Sequence, residues 1–304
     1  SNTAHVANHF VLKKYSKSNK YEHPRGISNK NWSEAKREDW DDIKWNELKN
    51  ELEKCYSNGS WNPSGATAAF STIDYDFDLY SEFNLDPKKK TAIIFSHIFW
   101  DATFFWGIDL FKNYEEWLIE TIKIAVLNVN VNWLIKIHPS NLVKVNKNII
   151  QSRQFLELQA IEKKIGELPK HIKIIFPDTQ ISTYNLLDKV DYCVTVRGTP
   201  GLECAAFGVT SVTAGTGRYD NRGFTTDSSN IAEYKEKIKN IKKLEKMTDK
   251  QVSDARIFLY MALFDKKFKL SFVDHKMFTS DNRVIEKTKI NLNKKKKLSE
   301  YEEI

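Results

Sequence analysis

Between residues 91 and 213, five short runs rich in Ile, Val, Thr and aromatic residues recur, each parted from the next by a longer amphipathic stretch. That alternation constrains the fold more than any other feature. Short apolar runs that lack polar alternation are strands covered on both faces, and strands joined through helices must cross over into a parallel, doubly wound sheet. The runs predict strands over 91–97, 131–137, 172–176, 192–196 and 209–213. Tyr114, Trp117, Leu118, Ile122 and Ala125 share one stripe and predict a helix over 114–128. Phe155, Leu158, Ile161 and Ile165 mark another, which Gly166 stops, and helices over 182–189 and 200–207 complete the alternation. Asn230 with Glu233, and Thr248 with Gln251, have the three-residue spacing of helix caps.

The flanks read differently. Residues 1–87 are rich in Trp, Asn, Lys and Asp, and predict one helix from Trp40 to Cys55, with Trp45, Leu48, Leu52 and Cys55 on one face and turn residues from Ser57 to Ser60 behind it. The expected organisation is a helical or irregular region at 1–87 (a linker or the remnant of an acceptor domain), an α/β Rossmann-like domain at 88–275, and a Lys-rich tail at 276–304. The run Lys294 to Lys297 in that tail is read as a solvated end, or as a contact with an anionic membrane.

Composition then narrows the function classes. The 304 residues carry 47 Lys+Arg against 40 Asp+Glu, a net charge of +7 that suits an anionic ligand or membrane surface better than nucleic acid. With 41% hydrophobic and 12% aromatic residues, the chain has the material for a core. Cys55, Cys193 and Cys204 show neither disulfide nor CxxC spacing, which predicts a reducing compartment. No run has the length of a membrane span and no apolar leader begins the chain, so a soluble, cytoplasmic protein is expected.

In an open parallel sheet, ligands bind beyond the carboxyl ends of the strands. Four loops there carry candidate chemistry. After the fourth strand, Arg197 and Gly198 lead to Thr199, an N-cap candidate, then Pro200, Gly201 and Glu203. The two glycines allow close backbone approach, the helix start offers free N–H groups to a phosphate, Arg197 adds a two-pronged donor, and Glu203 lies one turn in, where a carboxylate accepts from ribose hydroxyls. After the second strand come His138, Pro139 and Ser140, with Lys136 on the same side of the strand as His138. After the fifth strand, a loop with Gly217, Arg218, Tyr219, Arg222 and Gly223 offers two cations to close over a diphosphate or sugar acid. After the first strand, His97 and Asp101 lie among Phe99, Trp100 and Trp106, either an acceptor platform with a general base or an apolar plug.

Other chemistry is faint. Asp74, Asp76 and Asp78 alternate on one face of a segment that precedes the sheet, where a solvated face is the simpler reading than a metal site. Walker A, GxSxG, HExxH and Cys/His zinc spacings are missing, as are RNA-binding signatures. Cys193 in a strand and Cys204 in a helix read as buried rather than nucleophilic.

The loops, in this order, resemble the C-terminal half of bacterial capsule polysaccharide biosynthesis proteins, the Kdo-transferase-like glycosyltransferases of GT-B architecture. The residues that carry the resemblance are His138-Pro139-Ser140, Phe176-Pro177-Asp178 with Ser182, Asp191, Thr199 with Gly201 and Glu203, Gly208, and the Gly217/Tyr219/Gly223 loop, together with Phe99-Trp100-Asp101. They span roughly residues 88–270. The resemblance implies a GT-B C-terminal-type domain holding a CMP- or UDP-activated sugar as substrate, without a metal or resident cofactor. It implies His138, Pro139, Thr199, Gly201 and Glu203 at the donor, with Lys136, His138 and Arg197 meeting the leaving phosphate. With the loops read above, the donor candidates are Lys136, His138, Pro139, Ser140, Arg197, Gly198, Thr199, Gly201, Glu203, Gly217, Arg218 and Tyr219, and the catalytic candidates Asp101, His97 and His138. A glycan or lipid-linked acceptor follows, with an anionic inner membrane or other capsule enzymes as contacts. Where the family has a Ser/Thr pair before the Gly-x-Glu, this chain has Arg197-Gly198-Thr199. The rival expectations are a CDP-alcohol phosphotransferase or sugar-nucleotide 2-epimerase of the same architecture, a non-catalytic nucleotide-binding module of a capsule complex, and, more remotely, an RNA-surface protein.

Overall fold

A computed structural model describes residues 2–3, 9–11, 17, 26–37, 40–58, 73–100, 107–142, 155–264, 268–269, 273–280 and 283–290. Its centre is a five-stranded sheet: β1 (Lys90–Phe95), β2 (Val131–Lys136), β3 (Ile172–Ile175), β4 (Tyr192–Thr195) and β5 (Thr210–Thr213). The order across it is β3-β2-β1-β4-β5, and every neighbouring pair is parallel. The order reverses between β1 and β4, the crevice where ligands of such sheets bind.

Both faces are covered, which is why the strands read as apolar runs. On one side Ala92, Ile94, Trp133, Ile135, Val194 and Val212 pack under α4 (Tyr114–Leu127) and α7 (Ile231–Lys239). On the other, Ile93, Phe95, Leu134, Ile175 and Cys193 meet α3 (Leu79–Phe83), a 3-10 turn at Tyr184–Leu186 and Cys204 of α6 (Thr199–Ala206). Neighbours in one strand thus serve opposite cores. The remaining helix of the alternation is α5 (Leu156–Lys164), which ends before Gly166 at φ +83°.

The caps fall where their spacing predicts. Asn230 accepts from the Glu233 N–H, and Thr248 and Gln251 close a reciprocal capping box at the start of α8 (Asp249–Leu263). Two expectations need correction. The helix predicted over 182–189 shrinks to the 3-10 turn, because Ser182 and Thr179 spend their hydroxyls on local N–H groups and hold tight turns instead. At α6 the N-cap position belongs to Gly198, not Thr199, whose hydroxyl accepts from Arg218 Nη1 at 2.6 Å and so does not turn back on the helix.

The N-terminal region forms an outer layer on α6 and α8. It holds α1 (Asn29–Ala35) and α2 (Asp42–Asn58), which matches the predicted helix but starts two residues later and runs three further. Leu48, Leu52 and Cys55 are buried, Trp32 meets Phe258 edge-on at 5.4 Å, Trp45 meets Phe207 at 5.2 Å, and the Arg256 guanidinium lies 4.0 Å over the Trp45 ring. Strands at Asn2–Thr3, His9–Val11 and Phe268–Lys269 pair antiparallel, as do Val273–Ser280 and Arg283–Ile290. The second pair lies largely in the stretch expected as a Lys-rich tail; Lys294 to Lys297 lie outside the described residues. Asp78 caps α3 through the Tyr80 and Ser81 N–H groups, and Asp74 ties its turn to Asn185, so two of the three alternating aspartates hold local backbone.

Candidate functional site

The site is assembled at the carboxyl edge of the sheet, from the loops after β1, β2, β4 and β5. His97 is the hub. It follows β1 and lies half-buried, stacked on Tyr114 at 4.3 Å and edge-on to Trp117. Its Nε2 accepts the Val196 N–H at 3.2 Å and lies 3.0 Å from Thr195 Oγ1, which itself accepts the Gly198 N–H. A ring nitrogen that accepts a backbone N–H holds no proton, so the neutral ring carries its proton on Nδ1. Burial, with His138 and Arg197 close by, pushes the His97 pKa down to about 3. With Nε2 filled, His97 positions the 195–198 turn and takes no proton from substrate at that nitrogen.

One strand over, Ser96 Oγ accepts the His138 N–H at 3.0 Å, and His138 Nδ1 accepts the Ser140 N–H at 3.1 Å. The His138 proton is therefore on Nε2, which makes the ring a neutral donor, with its pKa lowered to about 4 by burial and by Lys136. Pro139 and Ser140 turn the chain after it, and Asn141 bridges His138 O and Glu157.

Lys136 is the unusual group. It is only 5% exposed, and among the described residues its ammonium has neither a carboxylate nor a hydrogen-bond acceptor as partner. Burial alone lowers its pKa to about 8. A buried cation left without a counter-charge is costly unless a ligand supplies one.

On the other side of β1, Arg197 is turned inward and ion-paired with Asp109. The residue expected to grasp an anion thus bonds the loop after β1. That loop is zipped to the one after β5: Ile108 N–H donates to Thr216 Oγ1 and Thr216 N–H to Ile108 O, each at 2.9 Å. Gly107, at φ +121°, has room for no side chain beside the Thr216 carbonyl. Gly201, in the first turn of α6, faces the Tyr219 phenol and the Thr195 methyl, the latter 2.8 Å from where a Cβ would stand. Tyr219 O–H donates to Gly198 O at 2.6 Å, so the Gly217/Arg218/Tyr219 loop buttresses the α6 start. Of the two cations expected to close over a ligand, Arg218 bonds Thr199, and Arg222 donates to Asn29 and to Ile27 O, anchoring α1.

Glu203 is 1% exposed. Its Oε2 accepts from Tyr56 O–H of α2 at 2.5 Å, and burial raises its pKa to about 7. Asp191, which carried part of the resemblance, lies at the opposite edge, where its carboxylate bonds Lys90 and the Thr91 N–H. Asp101 and Trp106 lie outside the described residues. Sequence alone assigns no site role to Thr195 or Tyr56, marks Tyr114 only as a core-facing helix residue, and names no partner for Asp109. Thr195 had a signal, as the last residue of β4 before a Gly-rich turn; Tyr56, 147 positions from Glu203, had none.

The arrangement thus brings His97, Lys136, His138 and the Arg197–Glu203 turn to one edge, with the imidazole of His97 between the other two groups. Strand spacing puts β2 and β4 roughly 10 Å apart. Among the described residues no three His, Cys, Asp or Glu side chains are grouped to hold a metal, and no helix is long and apolar enough to cross a membrane.

Comparison with known proteins adds the following. The family model described as capsule polysaccharide biosynthesis protein matches residues 82–263. No curated protein matches the chain. Among solved structures, it is similar to the beta Kdo 2,4 transferase of Thermosulfurimonas dismutans KpsC at 15% identity and TM-score 0.39, covering 71% of this chain and 56% of that one. The beta Kdo 2,7 transferase of the same KpsC has 15% identity, TM-score 0.39 and coverages of 83% and 60%. MnaA of S. aureus, solved with UDP, has 14% identity, TM-score 0.39 and coverages of 73% and 55%. The chain therefore spans little more than half the length of these structures.

Proposed function

The chain belongs to the capsule polysaccharide biosynthesis protein family, and from that premise we propose that it is the nucleotide-sugar-binding half of a glycosyltransferase of GT-B architecture. The donor is a CMP- or UDP-activated sugar, and the acceptor a glycan or glycolipid at the cytoplasmic membrane face. One observation carries the reading: Lys136 is a buried cation, without a counter-charge among the described residues, beside the Nε2–H donor of His138, at the edge of the sheet where phosphates bind. When the bond from the sugar's anomeric carbon to the nucleotide phosphate breaks, negative charge gathers on that phosphate. The Lys136 ammonium, the His138 N–H and the start of α6 meet that charge, fixed in advance. These groups take the part that a divalent cation has in other transferases. Asp101 is the proposed base for the acceptor hydroxyl, and Glu203 the proposed partner of the ribose.

A second reading, a non-catalytic nucleotide-binding module that docks with other capsule enzymes, is favoured by the Tyr56 hydroxyl, which occupies the Glu203 carboxylate where a ribose would bond. Both readings require the nucleotide. Thermal shift with CMP, CDP, UDP, GDP and TDP tests that: a ligand at 100 times its dissociation constant stabilises by about 2.7 kcal/mol. A response to a cytidine or uridine nucleotide is expected, and silence to all five removes the site. Donor hydrolysis by the same sample separates enzyme from module.

A further inference from the structure

The amino-terminal edge of the sheet carries a surface of different character. The turn between α4 and β2 leaves Leu127 82% and Val129 52% exposed. They are held outward, because Asn128 between them faces in: its side-chain amide donates to Lys239 O at 3.2 Å, and its carbonyl accepts from Trp133 Nε1 at 3.3 Å. Exposed Lys239, Lys242 and Lys243 flank the turn at the end of α7, and exposed Lys170 lies on its other side, where the neighbouring His171 ring bonds Ala125 O at 3.0 Å. Among the described residues none of these four lysines has an ion-pair partner. Of the acids on α4 and α7, Glu120 holds Lys123 and Lys235, Glu233 holds Lys237, and Glu236 accepts from Asn240, while exposed Glu167 and Glu245 stand near Lys170 and Lys243, so the patch is net positive by two of its four lysines.

Two aliphatic side chains offer far less apolar area than the roughly 800 Å² per partner of a stable protein interface. They do fit a lipid boundary, where a small apolar wedge enters between headgroups while surrounding lysines meet anionic phosphates. We propose that this edge docks on an anionic bilayer, with Leu127 and Val129 inserted and the four lysines on the headgroups. The parallel sheet then turns the carboxyl edge away from that bilayer, which suits a glycan acceptor extending from the surface.

Co-sedimentation of the full chain tests it, with vesicles of mixed phosphatidylglycerol and phosphatidylcholine and with vesicles of phosphatidylcholine alone. Binding to the first and not the second is expected. Lys239→Glu, Lys242→Glu and Lys243→Glu together should reduce it at least about tenfold. The same charge change in the tail, Lys294→Glu, Lys295→Glu and Lys296→Glu, should leave most of it. Leu127→Asn with Val129→Asn should abolish the part that persists in high salt. All these positions are exposed or lie in the tail, and unchanged thermal melting will confirm that the variants fold. The proposal falls if wild type ignores both vesicles, as expected were the occupant an acidic protein, if the tail variant loses as much as the triple variant at the edge, or if the Leu127/Val129 pair changes nothing.

Discussion

The two edges of one sheet treat a buried lysine or carboxylate differently, although both satisfy most of their polar groups from within. At the amino edge they are satisfied from within: Asp191 accepts from the Lys90 ammonium at 2.6 Å and the Thr91 N–H at 2.9 Å, and Asn132 donates to Asp86 O and Thr91 Oγ1 while accepting the Asp86 N–H. At the carboxyl edge Lys136 has no counter-charge among the described residues, His97 and His138 are kept neutral by burial, and Glu203 is held well above the carboxylate range. The first edge is finished by folding; on the proposed function, a ligand supplies the charge that completes the second. An edge built for stability should lose stability when its polar groups are removed, and an edge built for a ligand should lose affinity and gain stability.

Lys136→Met gives the largest contrast. Removing one partner of a buried charged contact costs on the order of 2–5 kcal/mol of binding, so nucleotide affinity should fall by two to three orders of magnitude. Melting temperature should rise, since a buried ammonium that is unpaired among the described residues is exchanged for an apolar chain of similar length. The pH dependence has a fixed sign. Because the folded pKa is near 8, below the 10.5 of an exposed lysine, the folded chain resists that proton, and the stability this shift confers is present above pH 10.5 and lost as pH falls toward 8. Affinity moves the other way: above pH 8 the amine must regain its proton to meet a phosphate, and Kd should rise about tenfold per unit. Isothermal titration between pH 6 and 10 (roughly the range the lysine titrates in) measures it. A Met variant that binds as wild type removes the carboxyl edge as an anion site.

The comparison also explains what could be read in the sequence. The five strands were visible because burial on both faces erases polar alternation, as in 92–95, where Ala92 and Ile94 serve one core and Ile93 and Phe95 the other. Local capping was visible at Asn230 and Thr248, since three-residue spacing is a property of the chain itself. Which loops meet could be placed at one edge by topology alone, but partners could not. Nothing in Arg197 announces that Asp109 takes it, or in Arg222 that α1 does, because such pairings join distant elements and depend on packing. The same holds for Tyr56 on Glu203. Sequence spacing ranks residues by the chemistry they are able to do, and tertiary contacts decide which of them are already occupied.

Glu203 sharpens the contrast from the acidic side. Its folded pKa of about 7 lies above the 4.5 of an exposed glutamate, so the folded chain keeps a proton the unfolded chain has lost. The stability this confers is present below pH 4.5 and disappears as pH rises through 7, a decline of about 3 kcal/mol. Glu203→Gln keeps the acceptor for Tyr56 and carries no charge. Urea unfolding at pH 5 and pH 8 should show this decline in wild type and its loss in the variant, which should be the more stable at pH 8. If the variant is the less stable at both, Glu203 belongs with the finished edge and the contrast fails there.

Asp191 gives the smallest effect and the opposite sign. Asp191→Ala leaves the N–H of Thr91, a fully buried residue, without its acceptor, which costs about 1–3 kcal/mol. Its ion pair adds less, since the Lys90 side chain is 48% exposed and such pairs contribute below about 1 kcal/mol. Lys90→Ala should therefore destabilise by much less than Asp191→Ala, and neither should alter nucleotide affinity. The denaturation midpoint reads the first difference and titration the second. Equal losses in the two variants would mean that the exposed pair, and not the buried N–H, fastens β1 to β4 at this edge. A change in affinity would mean that the two ends of the strands are coupled, and that the amino edge is tuned for the ligand as well.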